Sequence, residues 1–109
     1  MNSDYKVNAK IFKAISDHNR LKIINMLSCG EKCACDILKN FDFTQPTLSH
    51  HMKVLMDSDL VKCRKDGLWS YYFLESTKSN KLVLSLMNLF ANTEGCICEG
   101  KDKCNCDSK

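Results

Sequence analysis

A mainly helical domain with one β-hairpin is the fold class that the sequence predicts. Four stretches carry apolar residues at the three- and four-residue spacing of an amphipathic helix, and a fifth stretch is apolar almost all round. Between the fourth and the fifth, Asp66-Gly67 separates two short runs of β-branched and aromatic residues, which is a strong hairpin signal. The 109 residues are 44% hydrophobic and 27% charged, with a net charge of +3, and this composition fits one globular domain with a tail.

The first three helices are predicted from their apolar spacing and from residues that commonly cap helices. The first helix has the apolar stripe Val7, Ile11, Phe12 and Ile15. The second opens at Ser16-Asp17 and ends near Gly30, and its inward side chains are expected to be Leu21, Ile24 and Leu27. A short third helix is expected over residues 34–40, where it buries Ile37 and Leu38.

A fourth helix and a hairpin follow. Thr44 is a natural N-cap for the helix, and Pro46 is tolerated there because a first-turn residue has no N–H bond to lose. The helix is expected to end near Ser58 and to bury Leu48, Met52 and Leu55. The hairpin strands are expected over residues 61–65 and 69–73, with Cys63 as a small core residue.

The last helix differs from the others because it is apolar on nearly every side. Its apolar residues are Leu82, Val83, Leu86, Met87, Leu89 and Phe90. Such a helix is not stable while exposed to solvent, so we expect it to pack against another subunit. From Asn92 onward the sequence is polar and rich in cysteine, with no apolar period. The predicted division is therefore a folded domain that also carries the dimer contacts, over residues 1–91, and a flexible tail over residues 92–109.

The expectation of DNA binding comes from the order of these elements. A short helix, a tight connection, a second helix and a basic hairpin follow each other as in a winged helix-turn-helix. With Leu48 and Met52 buried, the polar side chains at the start of the fourth helix are free for base edges and phosphates. Lys62 adds a further cation to the hairpin, whereas His51 is expected to point into the domain. The predicted DNA-contacting residues are Gln45, Thr47, Ser49, His50, Lys53, Arg64 and Lys65.

Eight cysteines are the unusual feature of the composition. Six form three Cys-x-Cys pairs, namely Cys33 and Cys35, Cys96 and Cys98, and Cys104 and Cys106. The N-terminus has no basic-then-apolar signal peptide, and no run reaches the ~18 apolar residues of a membrane span. We therefore expect a soluble cytoplasmic protein without a membrane partner, and clustered thiols in that reducing compartment typically bind metal or sense redox state.

Several stretches resemble one family of bacterial regulators, in colinear order from about residue 10 to about residue 90. They are FKAISDHNRL, CACDIL, SHHMKVL, DLV and DGLWSYY, beginning at Phe12, Cys33, Ser49, Asp59 and Asp66. They are similar to the opening helix, the arsenic- and cadmium-sensing box, the recognition helix and the wing of the ArsR/SmtB family of metal-responsive repressors. The resemblance implies a homodimer, paired through its first and last helices, that releases its operator DNA when a thiophilic ion binds. A dimer of this kind is expected to bind an inverted repeat.

Cys33 and Cys35 are the main candidate sensing residues. Side chains two positions apart on an α-helix point about 200° apart, so one ion held by both is expected to distort the first turn of the third helix. Because that helix directly precedes the recognition helix, the distortion is expected to lower DNA affinity. Thiolate ligands favour As(III), as arsenite or an organoarsenical, and they also suit Cd(II), Cu(I) and Zn(II).

The third ligand of this site is left open by the sequence. Some members of the family have a further cysteine where this chain has Leu38. Either the sensed species needs two thiolates, as a methylated arsenical does, or other cysteines contribute, with Cys96, Cys98, Cys104 and Cys106 as tentative ligands. Cys29 is expected to pack at a helix end, with a ligand role as the alternative. The family's other zinc site is absent, because residues 81–91 contain no Asp, Glu, His or Cys.

Two other functions fit parts of this pattern. A redox-sensing repressor would keep the fold and the DNA function but use disulfide formation, which the strained Cys-x-Cys spacing disfavours. A small cytosolic metal-binding buffer would use the tail, but it leaves the polar face of the fourth helix and the basic hairpin unexplained. An enzyme is not expected, because His18, His50 and His51 have no nucleophile partner and no glycine-rich loop could hold a phosphate.

Overall fold

Five helices and a three-stranded sheet make up the part of the chain that the structure describes. This computed structural model describes the backbone of residues 2–91 and the side chains of residues 5–91. The helices are α1 (Asn2–Ala14), α2 (His18–Leu27), α3 (Ala34–Leu38), α4 (Gln45–Asp57) and α5 (Ser76–Phe90). The strands are β1 (Lys32–Cys33), β2 (Val61–Asp66) and β3 (Trp69–Leu74). The predicted mainly helical fold with a β-hairpin, in the order of a winged helix-turn-helix, is confirmed.

The helix ends follow from local capping chemistry. The carboxylate of Asp17 caps α2 by accepting hydrogen bonds from the backbone N–H groups of Asn19 and Arg20, at 2.9 and 3.2 Å. Thr44 precedes α4 and Pro46 lies in its first turn, both as predicted. Helix α3 ends at Leu38, two residues before the predicted end at residue 40. Helices α2, α3 and α4 therefore begin where the sequence places them, with small differences at their ends.

The sheet contains one strand that the sequence did not predict. Strands β2 and β3 form the expected antiparallel hairpin, and Gly67 has a positive φ of 64° in its turn. Strand β1 lies on the other edge of β3 and pairs with it antiparallel, Lys32 opposite Tyr72 and Cys33 opposite Tyr71. This pairing joins the residues just before α3 to the hairpin, which we call the wing (residues 61–74).

The core confirms the predicted burial of α4 and corrects that of α2. The described core residues are Ile11, Ile23, Leu27, Ile37, Leu48, Met52, Leu55, Leu60 and Val61. The prediction that Leu21 faces inward is wrong: half of its surface is exposed, while Ile23 is fully buried. Two adjacent apolar stripes run along α2, and the one that contains Ile23 faces α4 and β3.

The two isolated cysteines also differ from expectation. Cys63 is half-buried and is not a member of the buried core cluster. Cys29 is exposed rather than packed at the end of α2. Both predictions of packing are therefore wrong.

Helix α5 has no buried residue in this single chain. Its apolar side chains face outward over most of its length, and Phe90 is 83% exposed. Over residues 2–91, none of the helices combines the length and the apolar character that crossing a membrane requires. The predicted tail, with Cys96, Cys98, Cys104 and Cys106, lies outside the described residues.

Candidate DNA-binding face and thiol site

Helix α4 has one buried side and one polar, exposed side. Leu48, Met52 and Leu55 have at most 1% of their surface exposed. Their spacing turns the predicted contact residues away from the core. The exposed residues of this set on α4 are Gln45, Thr47, Ser49, His50 and Lys53. The side chain of Thr44 does not cap the helix. The backbone N–H groups in the first turn of α4 are therefore available to a DNA phosphate.

A polar network fixes the buried side of α4 against the helices before it. The Nη1 atom of Arg20 lies 3.1 Å from Nδ1 of His51, and the Nε–H of Arg20 donates to the carbonyl of Ala14. Because the guanidinium only donates, His51 accepts at Nδ1 and is neutral in this arrangement. Burial lowers the pKa of His51 below its ordinary value of 6.5. His51 therefore points into the domain, as predicted, and positions α4.

The wing carries three cations with different surroundings. Lys65 is exposed and, among the described residues, has no carboxylate oxygen within 4.0 Å of its ammonium. Lys62 lies 3.9 Å from Asp59. Arg64 donates from Nε and Nη2 to the two carboxylate oxygens of Glu31, each at 2.9 Å. Lys65 is thus available for DNA phosphate, whereas Arg64 is already engaged within the chain.

The predicted thiol pair is brought together by the junction of β1 and α3. Cys33 ends β1 and is the N-cap residue of α3, with an extended backbone at φ −82° and ψ 157°. Cys35 lies in the first turn of α3, and the two Sγ atoms are 2.8 Å apart. Cys33 is buried and Cys35 is exposed, so one side of the pair is open to an approaching ion.

This geometry corrects the mechanism expected from the sequence. The expectation was that the two side chains point about 200° apart, as on an ideal helix, so that an ion held by both distorts the first turn. Because Cys33 lies before the helix, the two sulfur atoms already converge without any unwinding. Strand β1, rather than the helix turn, is therefore the element that orients Cys33.

A carboxylate lies beside the two thiols. A side-chain oxygen of Asp36 and the sulfur atoms of Cys33 and Cys35 all lie within 4.8 Å of one another. Asp36 also forms a 3.5 Å ion pair with Lys39, and both side chains are exposed. The hydrogen bond with Cys33 raises the pKa of the Cys35 thiol, so an ion bound there must displace a proton.

Comparison with known proteins identifies the family. Residues 17–62 match the family described as bacterial regulatory protein, arsR family. The chain is 43% identical over 102 residues to the arsenical resistance operon repressor of Staphylococcus aureus, a match that covers 94% of this chain and 98% of that protein. The chain belongs to the ArsR family. This membership makes it a transcriptional repressor, as the resemblance implied.

Two further comparisons concern one relative of the repressor and one solved structure with a similar fold. A cadmium resistance transcriptional regulatory protein, a CadC homolog of Staphylococcus aureus, is 41% identical over 76 residues, covering 69% of this chain and 63% of that protein. A homodimeric winged helix-turn-helix DNA-binding domain from Mycobacterium bovis superposes with a TM-score of 0.67 at 22% identity, covering 81% of this chain and 82% of that one. The second similarity supports the fold of the repressor.

Three residues at these sites were missed by the sequence analysis. Asp36 could have been predicted from the sequence, because it directly follows Cys35 in the stretch that resembles a metal-sensing motif. Glu31 and Arg20 contact partners that are 33 and 31 positions away. Helix and strand periodicities connect only near neighbours, so neither pairing could be predicted.

Proposed function

We propose that the repressor is a homodimer that binds an inverted-repeat operator and releases it when trivalent arsenic binds Cys33 and Cys35. The observation that carries the proposal is the 2.8 Å approach of the two sulfur atoms at the start of α3. Sulfur ligands suit a soft ion, and the exposed Cys35 gives that ion access. The site directly precedes the helix that is expected to read DNA.

The DNA part of the proposal is supported by the polar side of α4 and by the wing. In this family of folds the second helix of the pair enters the major groove, and the wing lies beside it. The short polar side chains and His50 suit base edges, while Lys65 suits phosphate. We assign the DNA contacts to Gln45, Thr47, Ser49, His50, Lys53 and Lys65. Arg64 lies on the same wing as Lys65, but its guanidinium is bonded to Glu31.

The dimer is supported by the apolar surface of α5 and α1. Val83, Leu84 and Met87 are 55%, 59% and 61% exposed, in addition to the terminal Phe90. On α1, Val7 is 52% exposed. Large exposed apolar side chains of this number mark an interaction site, and a second copy of the chain presents the same side chains. The relative from Mycobacterium bovis is itself described as homodimeric.

The ion class follows from the donor atoms. Two sulfur atoms alone match a methylated arsenical, whereas arsenite has room for a third thiolate. We propose that the tail, residues 92–109, supplies that thiolate from Cys96, Cys98, Cys104 or Cys106. The oxygen of Asp36 instead suits Cd(II) or Zn(II), which accept mixed sulfur and oxygen ligands. The names of the relatives include both arsenical and cadmium resistance.

The core offers a route from the thiols to the recognition helix. Ile37 of α3 is fully buried and belongs to the same cluster as Leu48 and Met52 of α4. A close-packed core deforms little, so a shift at the start of α3 is passed on to α4. The bonds between the ion and sulfur would supply the free energy for this shift. The shift of α4 would change the position of the DNA-binding side chains. Linkage then requires operator DNA to weaken ion binding by the same factor.

Arsenite titration of the operator complex tests this proposal. The operator is first selected from random duplex DNA, and all thiols are kept reduced. Wild-type repressor should release, whereas Cys33→Ser and Cys35→Ser should bind DNA normally and stay bound, because a hydroxyl oxygen of similar size is a poor ligand for a soft ion. Cys29→Ser, at an exposed cysteine outside the pair, is the matched control and should behave as wild type.

The outcomes separate the competing functions. Release of either pair variant by arsenite would refute the sensing site. Release of the wild type by an oxidant, but by no thiophilic ion, would identify a redox-sensing repressor. Ion binding without any effect on DNA affinity would favour a metal buffer.

A further inference from the structure

Arg64 lies on the surface of the wing, where the side chains of Glu31, Tyr71 and Asp66 surround its guanidinium. Its guanidinium forms two parallel 2.9 Å hydrogen bonds with Glu31, and its Cζ atom lies 4.6 Å from the centre of the Tyr71 ring. The carboxylate of Asp66 is a weaker partner at 4.0 Å. A bidentate pair fixes both distance and orientation, and stacking on the ring limits the side chain further. Arg64 is therefore a positioned residue rather than a freely moving surface cation.

The partner of Arg64 lies next to the thiol pair. Glu31 is two residues before Cys33, and β1 begins directly after it. Tyr71 of β3 is the register partner of Cys33 on one side and of Arg64 on the other. Directly paired residues of antiparallel strands point to the same face of a sheet. Glu31 and Arg64 thus connect the two outer strands across β3 at the level of Cys33.

We infer that the Glu31–Arg64 pair is a positioning pair that couples the thiol site to the wing; the inference rests on the proposed function. With the thiols free, the pair holds the wing against β1. Two thiolates on one tetrahedral ion with bonds of about 2.3 Å lie about 3.8 Å apart with both sulfur atoms facing that ion, so both cysteines must adjust when the ion binds. The adjustment moves the end of β1, and the bidentate pair transfers that movement to the wing.

The size of the coupling is set by the exposure of the pair. The side chains of Arg64 and Glu31 are 49% and 36% exposed, so water screens their attraction. A pair of this kind accounts for a factor of about two to five in an equilibrium constant, and the core contact between α3 and α4 carries the remainder. The relevant quantity is the release ratio, defined as the operator Kd with saturating Cd(II) divided by the operator Kd without it.

Glu31→Gln and Asp66→Asn form a matched pair of variants for the test. Each removes one negative charge beside Arg64, so their electrostatic effects on DNA affinity are alike. Only Glu31 links Arg64 to the start of β1, because Asp66 lies in the wing itself. We expect Glu31→Gln to reduce the release ratio about two- to fivefold and Asp66→Asn to leave it unchanged. Arg64→Lys keeps the positive charge but cannot form the two parallel hydrogen bonds, so it should reduce the release ratio as much as Glu31→Gln does. The double variant Glu31→Gln with Arg64→Lys should reduce the ratio no more than either single variant.

Cd(II) affinity of the DNA-free protein, followed by thiolate charge-transfer absorbance, is measured for every variant. It should change little, because none of the substituted residues is a proposed ligand. A wild-type release ratio of one would refute both Cd(II) as an inducer and the coupling pair, while the proposed function fails only if arsenite also leaves operator binding unchanged. A normal wild-type ratio that is fully retained in Glu31→Gln and Arg64→Lys would refute the coupling pair alone. An equally reduced release ratio in Asp66→Asn would also refute the coupling pair, because the effect would then come from removing a negative charge beside Arg64.

Discussion

His50 and His51 are neighbours on α4, one exposed and one buried, so alanine at each position separates DNA contact from helix support. His51 is 7% exposed, bonds to Arg20 at 3.1 Å and lies with its ring centre 5.3 Å from that of Phe43. His50 is exposed. We expect His51→Ala to destabilise the fold, and His50→Ala to weaken specific operator binding while the fold keeps its stability.

The magnitude follows from the contacts that each substitution removes. A hydrogen bond to a charged group contributes about 1.5–3 kcal/mol, and the packing of the ring against Phe43 adds about 1 kcal/mol. His51→Ala should therefore lower the free energy of unfolding by about 2.5–4 kcal/mol. Truncating an exposed side chain changes stability little, so His50→Ala, which loses a ring contact with His51 at 5.9 Å between centres, should change it by less than about 0.5 kcal/mol.

The same contact predicts a pH dependence. Burial lowers the pKa of His51, with the charges of Arg20, His50 and His18 acting in the same direction and Asp17 opposing them. The pKa in the folded protein is thus below the ordinary value of 6.5 in the unfolded chain. Stability from neutral His51 is fully present above that value and is lost as pH falls through the folded-state pKa. Wild type should lose stability more steeply than His51→Ala as pH falls below 6.5.

Urea unfolding followed by circular dichroism measures the stability, at one fixed protein concentration because a dimer is stabilised by mass action. Fluorescence anisotropy of labelled operator measures the DNA affinity. The reasoning is refuted if His51→Ala is as stable as wild type, or if His50→Ala loses as much stability as His51→Ala.

Three further predictions concern the wing, the tail and the dimer. Lys65→Ala should weaken binding to all DNA sequences and reduce the slope of log K against log salt by about one; an unchanged slope would remove Lys65 from the phosphate contacts. Truncation after Ala91 should abolish the response to arsenite but keep the response to a methylated arsenical; retention of both responses would exclude the tail from the sensor. Met87→Lys places a charge on the exposed apolar side of α5 and should shift sedimentation toward a monomer, whereas an unchanged dimer would place the interface elsewhere.

Local patterns predicted most of the fold. Helix α4 and the wing carry strong periodic signals, with a proline at the first turn and a glycine at the hairpin turn, and their positions agree with the structure. The orientation of α2 was not predictable in the same way. Leu21 and Ile23 belong to two neighbouring apolar stripes, and only packing against α4 and β3 decides that Ile23 is the buried one.

The candidate site was predicted in its residues but not in its arrangement. The spacing of Cys33 and Cys35 identified the thiol pair, yet a two-residue strand is too short to show a period. Strand β1 exists because β3 pairs with it, and that pairing places Cys33 outside the helix. The pairs Glu31–Arg64 and Arg20–His51 depend on tertiary structure in the same way, since each joins elements that are far apart in the sequence.

The central claim is that trivalent arsenic at Cys33 and Cys35 and operator DNA weaken each other's binding. The most direct test is the arsenite affinity of the repressor measured twice, free and saturated with operator, from the absorbance of the thiolate–arsenic bonds. Coupling between two sites is typically about 5- to 150-fold and must be equal in both directions. We predict that operator DNA weakens arsenite binding by the same factor by which arsenite weakens operator binding. Equal arsenite affinity with and without operator would contradict the account.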